Sequence, residues 1–303
     1  MAHTIGFIGF GEVASILAAR LSENGATVMA YDALLAAPDG AALLEARRGG
    51  AAVAFAELEA VISASEHIIS AVPTHLALDV AKNCAAHLDK TKTYLDVNST
   101  SPWAKTAIGE AVSPTGARFI EGAVLGAVGA TGADTKILFG GAHAQEAVDV
   151  FTKLGLRVEA FSTEIGKASV FKMLRSIFSK GMEALLVEAL LAGTKAGVEK
   201  ELWRDFVDTL ENTPFSKTAD NWVRSHGPAC ERRYHEMEQV LETMEGYGVA
   251  PVITSGTTAL FKRSVELGLR ETFRQKPETR EQLIASLQTL IGENAASAKA
   301  RTA

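Results

Sequence analysis

A mostly parallel, doubly wound α/β sheet followed by an all-helical domain is the fold class that this chain of 303 residues predicts. Three observations lead there. Short apolar, β-rich runs alternate with segments of helical spacing up to about residue 161. Beyond that point the alternation stops and every remaining segment has helical periodicity. The first strand also runs directly into a glycine-rich turn and a helix, the way a β-α-β unit begins. The expected domains are residues 1–163 and residues 164–303.

With 47% hydrophobic residues over 303 positions, the chain can build two substantial cores. A net charge of −6 argues against a nucleic-acid or anionic-membrane binder. No run of about 18 apolar residues occurs, and no basic region followed by an apolar stretch opens the chain, so a soluble, cytoplasmic protein is expected. The two cysteines, Cys84 and Cys230, form no CxxC pair and no metal spacing. A reduced, intracellular protein without a metal site follows from that. Only residues 294–303 are of low complexity, and they are expected to fray.

Taken in order, residues 4–8 read as a buried strand, followed at once by Gly9, Phe10, Gly11, Glu12, Val13 and Ala14 and then by a helix that Gly25 stops. Residues 26–31 read as a second strand ending at Asp32, 21 positions after Gly11. A GxGxxA match alone is weak. Strand, turn, helix and acidic residue in this order are specific for a Rossmann-type dinucleotide site. Gly9 permits the tight turn, Gly11 lets backbone approach a pyrophosphate, and Ala14 keeps the helix close to its strand. Unpaired N–H groups at the helix N-terminus hold the phosphates. Asp32 accepts hydrogen bonds from ribose hydroxyls and repels a 2′-phosphate, which favours NAD. Arg47 and Arg48 keep NADP open.

Strands are expected at residues 52–55, 67–72, 93–95, 118–120, 137–140 and 156–161. Ligands of an open sheet lie beyond the carboxyl ends of its strands. Those ends are residues 9–14, 72–74, 96–102 (DVNSTSP) and 121–132 (EGAVLGAVGATG). Asn98, Ser99, Thr100 and Ser101 are suited to ligand contacts and equally to capping the helix that Pro102 starts. Gly126, Gly129 and Gly132 expose backbone N–H groups to a carboxylate or close-packed ligand.

The rest is read as helices at residues 166–192, 199–210, a piece after Pro214, then 230–244, 251–267 and 279–291. Residues 166–192 carry two patterns. Lys172, Ser176, Ser179 and Glu183 recur at helical spacing and form a polar stripe, with Arg175 beside it. Leu185, Leu186, Val187, Leu190 and Leu191 run around the axis, which predicts a helix buried on all sides. The stripe faces either bulk water or a cleft at the domain boundary. The position of the helix at that boundary favours the cleft, with Lys172 as the proton-exchanging group.

Together, GFIGFGEVA, SAVPT, DVNSTSP, EGAVLGAVGATGA and GKASVFKMLRS resemble the β-hydroxyacid dehydrogenase family, which includes 3-hydroxyisobutyrate and 6-phosphogluconate dehydrogenases. The resemblance spans nearly the whole chain. It is nearest to a branch described as 6-phosphogluconate dehydrogenase-like NAD-binding proteins, through the KMLRSIFSKGMEALL and ERRYHEMEQV segments. It implies a nicotinamide cofactor on Gly9, Phe10, Gly11, Glu12 and Val13, with further contacts from Val72, Pro73, Thr74 and Asn98. Substrate contacts are implied for the loop Leu125, Gly126 and Ala127, and the general acid/base role for Lys172. A partly desolvated Lys beside the positively charged nicotinamide releases its proton nearer neutral pH. The family's dimers imply a homodimer through the helical domain.

Departures narrow the substrate. Leu125-Gly126-Ala127 stands where many members have Ser-Gly-Gly, and Ser176 where the common pattern has Asn. The Gly-Gly-Asn-Ser loop and His-Asn helix pair of decarboxylating phosphogluconate enzymes are absent. Arg175 fits either a bidentate carboxylate clamp or a structural ion pair. His235, beside Glu236, stands roughly where relatives have a Lys-Asp pair, and reads as a substrate contact or as a solvated face. The expected substrate set is thus Ser99, Leu125, Gly126, Ala127, Arg175, Ser176 and His235. The expected activity is hydride transfer between NAD, or NADP, and a small carboxylate-bearing 3-hydroxy acid or its keto form. Imine reduction on the same scaffold is the nearest alternative, although those reductases usually have Asp or Tyr where Lys172 stands. A non-catalytic NAD(H)-responsive binding protein is the alternative from another class.

Overall fold

In the computed structural model, which describes residues 3–302, the alternating apolar runs become eight strands of one sheet. These are β1 (Thr4–Ile8), β2 (Thr27–Tyr31), β3 (Val53–Phe55), β4 (His67–Ser70), β5 (Thr93–Asp96), β6 (Arg118–Val124), β7 (Ile137–Gly140) and β8 (Val158–Ser162). Their order is β3-β2-β1-β4-β5-β6-β7-β8. All neighbours pair parallel except β6 and β7. The strand order reverses between β1 and β4. Their carboxyl ends, which lead into Gly9 and Val72, flank the crevice where a doubly wound sheet takes its ligand.

The helices of this part are α1 (Glu12–Glu23), α2 (Gly40–Arg48), α3 (Leu58–Ala64), α4 (Ala77–Ala85), α5 (Pro102–Val112), α6 (Val128–Thr131) and α7 (Ala144–Lys153). They cover the sheet with the apolar faces their periodicity predicts. One cluster joins Leu17 and Leu21 of α1 and Phe151 of α7 to Ile5, Phe7 and Phe139 of the sheet. A second joins Val61, Ala81 and Ile108, from α3, α4 and α5, to Ile8, Ile68 and Tyr94.

The remainder is helical: α8 (Lys167–Ala196), α9 (Glu199–Glu211), α10 (Phe215–Gly246), α11 (Val252–Glu266), α12 (Leu269–Thr272) and α13 (Arg280–Thr302). Contacts divide the chain into two compact units, Met1–Ile177 and Phe178–Ala303. Among the described residues no helix is long and apolar enough to cross a membrane.

Several expectations need correction. β6 continues to Val124, so Glu121 lies within a strand rather than in the loop that follows it. The antiparallel pairing of Glu121 to Val124 with β7 is what extends it. The break expected before residue 230 is absent, and α10 runs through Gly227 and Pro228 for 32 residues. An interior proline removes a backbone hydrogen bond, but here Gly227 and Cys230 pack on Phe273, Leu269 and Leu283, which holds the helix together. α13 reaches Thr302, well into the stretch expected to fray, whose last residue, Ala303, lies outside the described residues. Finally, the apolar half of α8 is not buried on all sides: Leu185, Val187 and Leu191 are 44%, 55% and 57% exposed. Its buried residue is Glu188, whose carboxylate accepts from the backbone N–H groups of Ile253 (2.7 Å) and Thr254 (2.8 Å) and from the Thr254 hydroxyl (2.7 Å). Pro251, at the N-cap of α11, offers no side-chain hydrogen bond, and Glu188 supplies the cap instead.

Candidate active site

The glycine turn is built by close packing. A Cβ on Gly9 would stand 2.5 Å from Ala71 O and 2.7 Å from a Val72 methyl, and its φ of +86° suits only glycine. Its N–H donates to Tyr31 O at 2.8 Å, tying the turn to β2. Gly11 is the opposite case. A Cβ there would meet nothing within 4 Å, and Gly11 is the N-cap of α1 with no side-chain cap bond. Room and uncapped N–H groups are left where a phosphate would sit, so these residues fit a dinucleotide.

Gly11 opens on a cavity of about 720 Å³ lined also by Gly9, Glu12, Val13, Asp32, Arg47, Val72, Pro73, Thr74, Asn98 and Ser99. The cofactor residues expected from the sequence thus come together, with one qualification. The Phe10 ring is wholly buried, edge-on to Phe55 at 5.0 Å, and its N–H donates to Asp32 Oδ2 at 2.7 Å. Phe10 therefore contributes to the cavity wall through the position it gives Asp32. The other oxygen of Asp32 accepts from Leu34 N at 2.9 Å. The Arg47 guanidinium donates to Phe10 O at 3.3 Å.

The four polar side chains of the DVNSTSP loop separate into different roles. Ser101 caps α5, accepting from Ala104 N at 3.2 Å. Thr100 is 3% exposed, and its buried hydroxyl makes no hydrogen bond. Asn98 bridges two strand ends: its Oδ1 accepts from Val72 N at 2.7 Å, while its Nδ2 donates to Asp96 Oδ2 at 2.6 Å and to Ser70 Oγ at 3.0 Å. Ser99 lines the cavity and accepts from Lys172 Nζ at 2.5 Å. The ammonium of Lys172 accordingly lies at the Ser99 edge of the cavity, and this arrangement is internal to the first unit.

Two buried charged groups support this site, and the sequence reading missed both. Lys105 is 0% exposed and donates to the Asp96 carboxylate, to Asp96 O at 2.8 Å and to Gly122 O at 3.4 Å. Burial pulls its pKa below the ordinary value while the Asp96 charge pulls it back up. Through Asp96 this pair fixes the Asn98 amide, and through Asn98 the turn at Val72. Glu121 is likewise 0% exposed. Its carboxylate accepts from Gly166 N (2.8 Å), Ala168 N (3.0 Å) and Ser169 Oγ (2.8 Å), capping the start of α8, the helix that carries Lys172.

The remaining expected substrate residues are more scattered. Leu125 packs beside Ala123, Leu138 and Ala168, so its side chain serves the core, whereas Gly126 and Ala127 are exposed. The Ser176 hydroxyl donates back to Lys172 O at 3.2 Å, and Arg175 is exposed on the same helix. His235 belongs to the second unit, where its ring is 65% exposed and pairs with Glu238 at 2.9 Å.

Residues 4–162 match the family described as the NAD binding domain of 6-phosphogluconate dehydrogenase, and residues 194–264 match a domain of unknown function (DUF1932). Glyoxylate/succinic semialdehyde reductase 1 of Arabidopsis thaliana is 23% identical over 276 residues, spanning 88% of this chain and 93% of that protein. A solved structure of a conserved protein of unknown function, described as structurally similar to 3-hydroxyacid dehydrogenases, is 30% identical. It matches with a TM-score of 0.60 over 88% of this chain and 98% of its own. An imine reductase variant from Myxococcus stipitatus, solved with NAD+, superposes with a TM-score of 0.76 over 95% of this chain and all of its own, at 17% identity, a likeness of fold alone. The first family covers just over half of the chain, and the glycine turn, the cavity and the strand order all belong to that matched region. The chain therefore belongs to the β-hydroxyacid dehydrogenase-like oxidoreductases, the NAD(P)-binding family described by the NAD binding domain of 6-phosphogluconate dehydrogenase.

Proposed function

We propose that this protein is an NAD-preferring dehydrogenase or reductase of a small 3-hydroxy acid or its keto form, with Lys172 as the general acid/base. The observation that carries the reading is the contact of Lys172 Nζ with Ser99 Oγ, 2.5 Å away, on the rim of the cavity that Gly11 leaves open. Gly9, Gly11 and Asp32 would hold a nicotinamide dinucleotide there, and it would supply or accept the hydride. The proton belongs to the chain's own groups. In oxidation Lys172 Nζ takes it from the substrate hydroxyl, and in reduction Lys172 returns it to the carbonyl oxygen. Ser99 holds the amine in place, and Glu121 fixes the start of the helix on which Lys172 stands.

Preference for NAD is supported by Asp32, whose carboxylate lines the cavity and is held by Phe10 N and Leu34 N. A 2′-phosphate would meet that negative charge. A carboxylate-bearing substrate is supported by Arg175 beside Lys172 and by the reductase relative, which is named for glyoxylate and succinic semialdehyde. A homodimer through the helical unit is supported by the apolar side chains exposed along α8.

The test is Lys172→Met. Turnover with the best substrate from a panel of 3-hydroxy acids and their keto forms, followed by NADH absorbance, is expected to fall about 10²- to 10⁴-fold. NADH binding is expected to stay within about twofold, because Lys172 is not asked to hold the dinucleotide. Turnover that survives the substitution would remove Lys172 from the chemistry.

A further inference from the structure

At the amino ends of β1 and β4 lies a cluster that the oxidoreductase reading leaves unused. His3 precedes β1, Glu66 precedes β4, and His67 opens β4, paired in register with Ile5 and Thr93. The parallel ladder therefore brings together residues that are 63 positions apart. The glycine turn leaves the other end of β1, a five-residue strand, so the two places are separated by about 16 Å at about 3.3 Å per residue.

The cluster has the donor set of a transition-metal site. One ligand atom from each residue lies within 4.8 Å of the others. His3 Nδ1 stands 3.3 Å from Glu66 Oε2, and His67 Nε2 stands 3.8 Å from the same oxygen. Tetrahedral ligands about 2.0–2.1 Å from a zinc ion are spaced about 3.4 Å apart, so the first separation fits as it stands and the second needs only a few tenths of an ångström. Glu66 is held for the task, its N–H bonding to Thr4 O and Thr4 Oγ1 at 2.9 Å each.

His67 supplies the independent sign. Its residue is 4% exposed, and both ring nitrogens are buried with no hydrogen-bond partner. A neutral imidazole has one donor and one acceptor, and leaving both unmet in a packed interior is unfavourable. A neutral imidazole presents one such nitrogen lone pair to a metal ion. His3 and Glu66, with side chains 32% and 47% exposed, give an ion access from solvent. The nearby cation Arg118 is turned toward Glu146 at 3.4 Å.

We infer that His3, Glu66 and His67 form a binding site for a divalent transition ion of the zinc class, with a fourth position left to water. Imidazole and carboxylate donors suit zinc, and nothing in the set is soft enough to favour a monovalent copper ion. The ion would tie together the leading ends of β1 and β4, which pair in register at Ile5 and His67.

The experiment uses the untagged full chain, stripped with a chelator and titrated with zinc sulfate by calorimetry, with thermal unfolding read in parallel. One zinc per chain and a rise in Tm are expected. His3→Ala and Glu66→Gln, which alter exposed side chains, should weaken binding at least about tenfold to 100-fold while leaving the zinc-free Tm and NADH affinity unchanged. His67→Gln should abolish binding, but it changes the core and is secondary to the other two. Less than half an equivalent of zinc on the wild-type chain, or undiminished binding by both His3→Ala and Glu66→Gln, would overturn the site.

Discussion

Apolar side chains are treated differently in the two units. In the first, Ile5, Phe7, Leu17 and Phe139 are 0 or 1% exposed, because a sheet covered by helices on both faces encloses its core without help. In the second, the deeply buried apolar groups among the described residues centre on Cys230, Leu269 and Leu283, while Leu185, Val187 and Leu191 along one helix stay largely exposed. A helix apolar around its whole circumference needs cover on every side. The sheet of the first unit encloses its core within one chain, although Trp103, Leu174 and Ile177 outside that core stay 80%, 59% and 70% exposed. The second presents a surface that asks for more protein, and a second copy is the cover proposed above.

The units share one device, a buried charge placed to finish a local structure, and perturbing it tests the comparison most severely. Lys105→Met strands the Asp96 carboxylate at 0% exposure. Removing one partner of a buried pair costs about 3–5 kcal/mol, and chemical denaturation should show a loss of that size. Cofactor binding should weaken as well, since Asp96 holds Asn98 and Asn98 holds Val72. Adding Asp96→Asn should return much of the stability. A loss under about 1 kcal/mol for Lys105→Met alone would mean that the enclosed core of the first unit does not depend on the pair.

Next in size is Glu188→Ala, the corresponding change in the second unit. It uncaps α11 and leaves the N–H groups of Ile253 and Thr254 unmet, for an expected cost of about 2 kcal/mol. The pH dependence gives a second readout. Burial by itself would raise the Glu188 pKa, but hydrogen bonds from the Thr254 hydroxyl and the backbone outweigh it, so the folded value lies below the ordinary 4.5. A carboxyl group depressed on folding contributes stability that is present above its unfolded pKa and lost as pH falls through the folded one. Thermal stability of the wild type should therefore drop more steeply below about pH 5 than that of Glu188→Ala.

These buried charges also mark the limit of what the sequence disclosed. The cofactor turn was legible because its parts lie within a few dozen residues and follow a fixed order, from Gly9 to Asp32. Lys172 was legible through helical spacing, and its contact with Ser99 bears on the cleft-facing alternative for the stripe. Glu121 and Glu188 were not, because each caps a helix 45 or more residues away. What signal there was lies in context: a lone acid inside FIEGAV, another inside LLVEALL, and a single Lys105 in an otherwise uncharged helical turn. Such a residue in an apolar run is worth reading as a cap or a buried pair before it is assigned to solvent. The continuity of α10 through Gly227 and Pro228 was hidden for a different reason, since both residues signal a break and only their packing against Phe273, Leu269 and Leu283 overrides it.

The mildest perturbation bears most directly on the contrast between the units. Leu191→Glu changes a side chain that is 57% exposed, so the cost to the folding of one chain should be within about 0.5 kcal/mol. If a second copy covers this face, the same change places a charge in an apolar contact, where it is strongly disfavoured. Light scattering should then give twice the 32.0 kDa chain mass for the wild type and a single chain mass for Leu191→Glu over the same concentration range. NADH binding should survive in the variant, because the turn and cavity lie within the first unit. A wild type that stays at one chain mass would mean that the exposed half of α8 is covered by something other than this chain. A dimer that ignores the substitution would move the interface elsewhere on the helical unit. Either result would separate the incompleteness of the second unit from its proposed remedy, since the exposure of Leu185, Val187 and Leu191 is a property of the single chain.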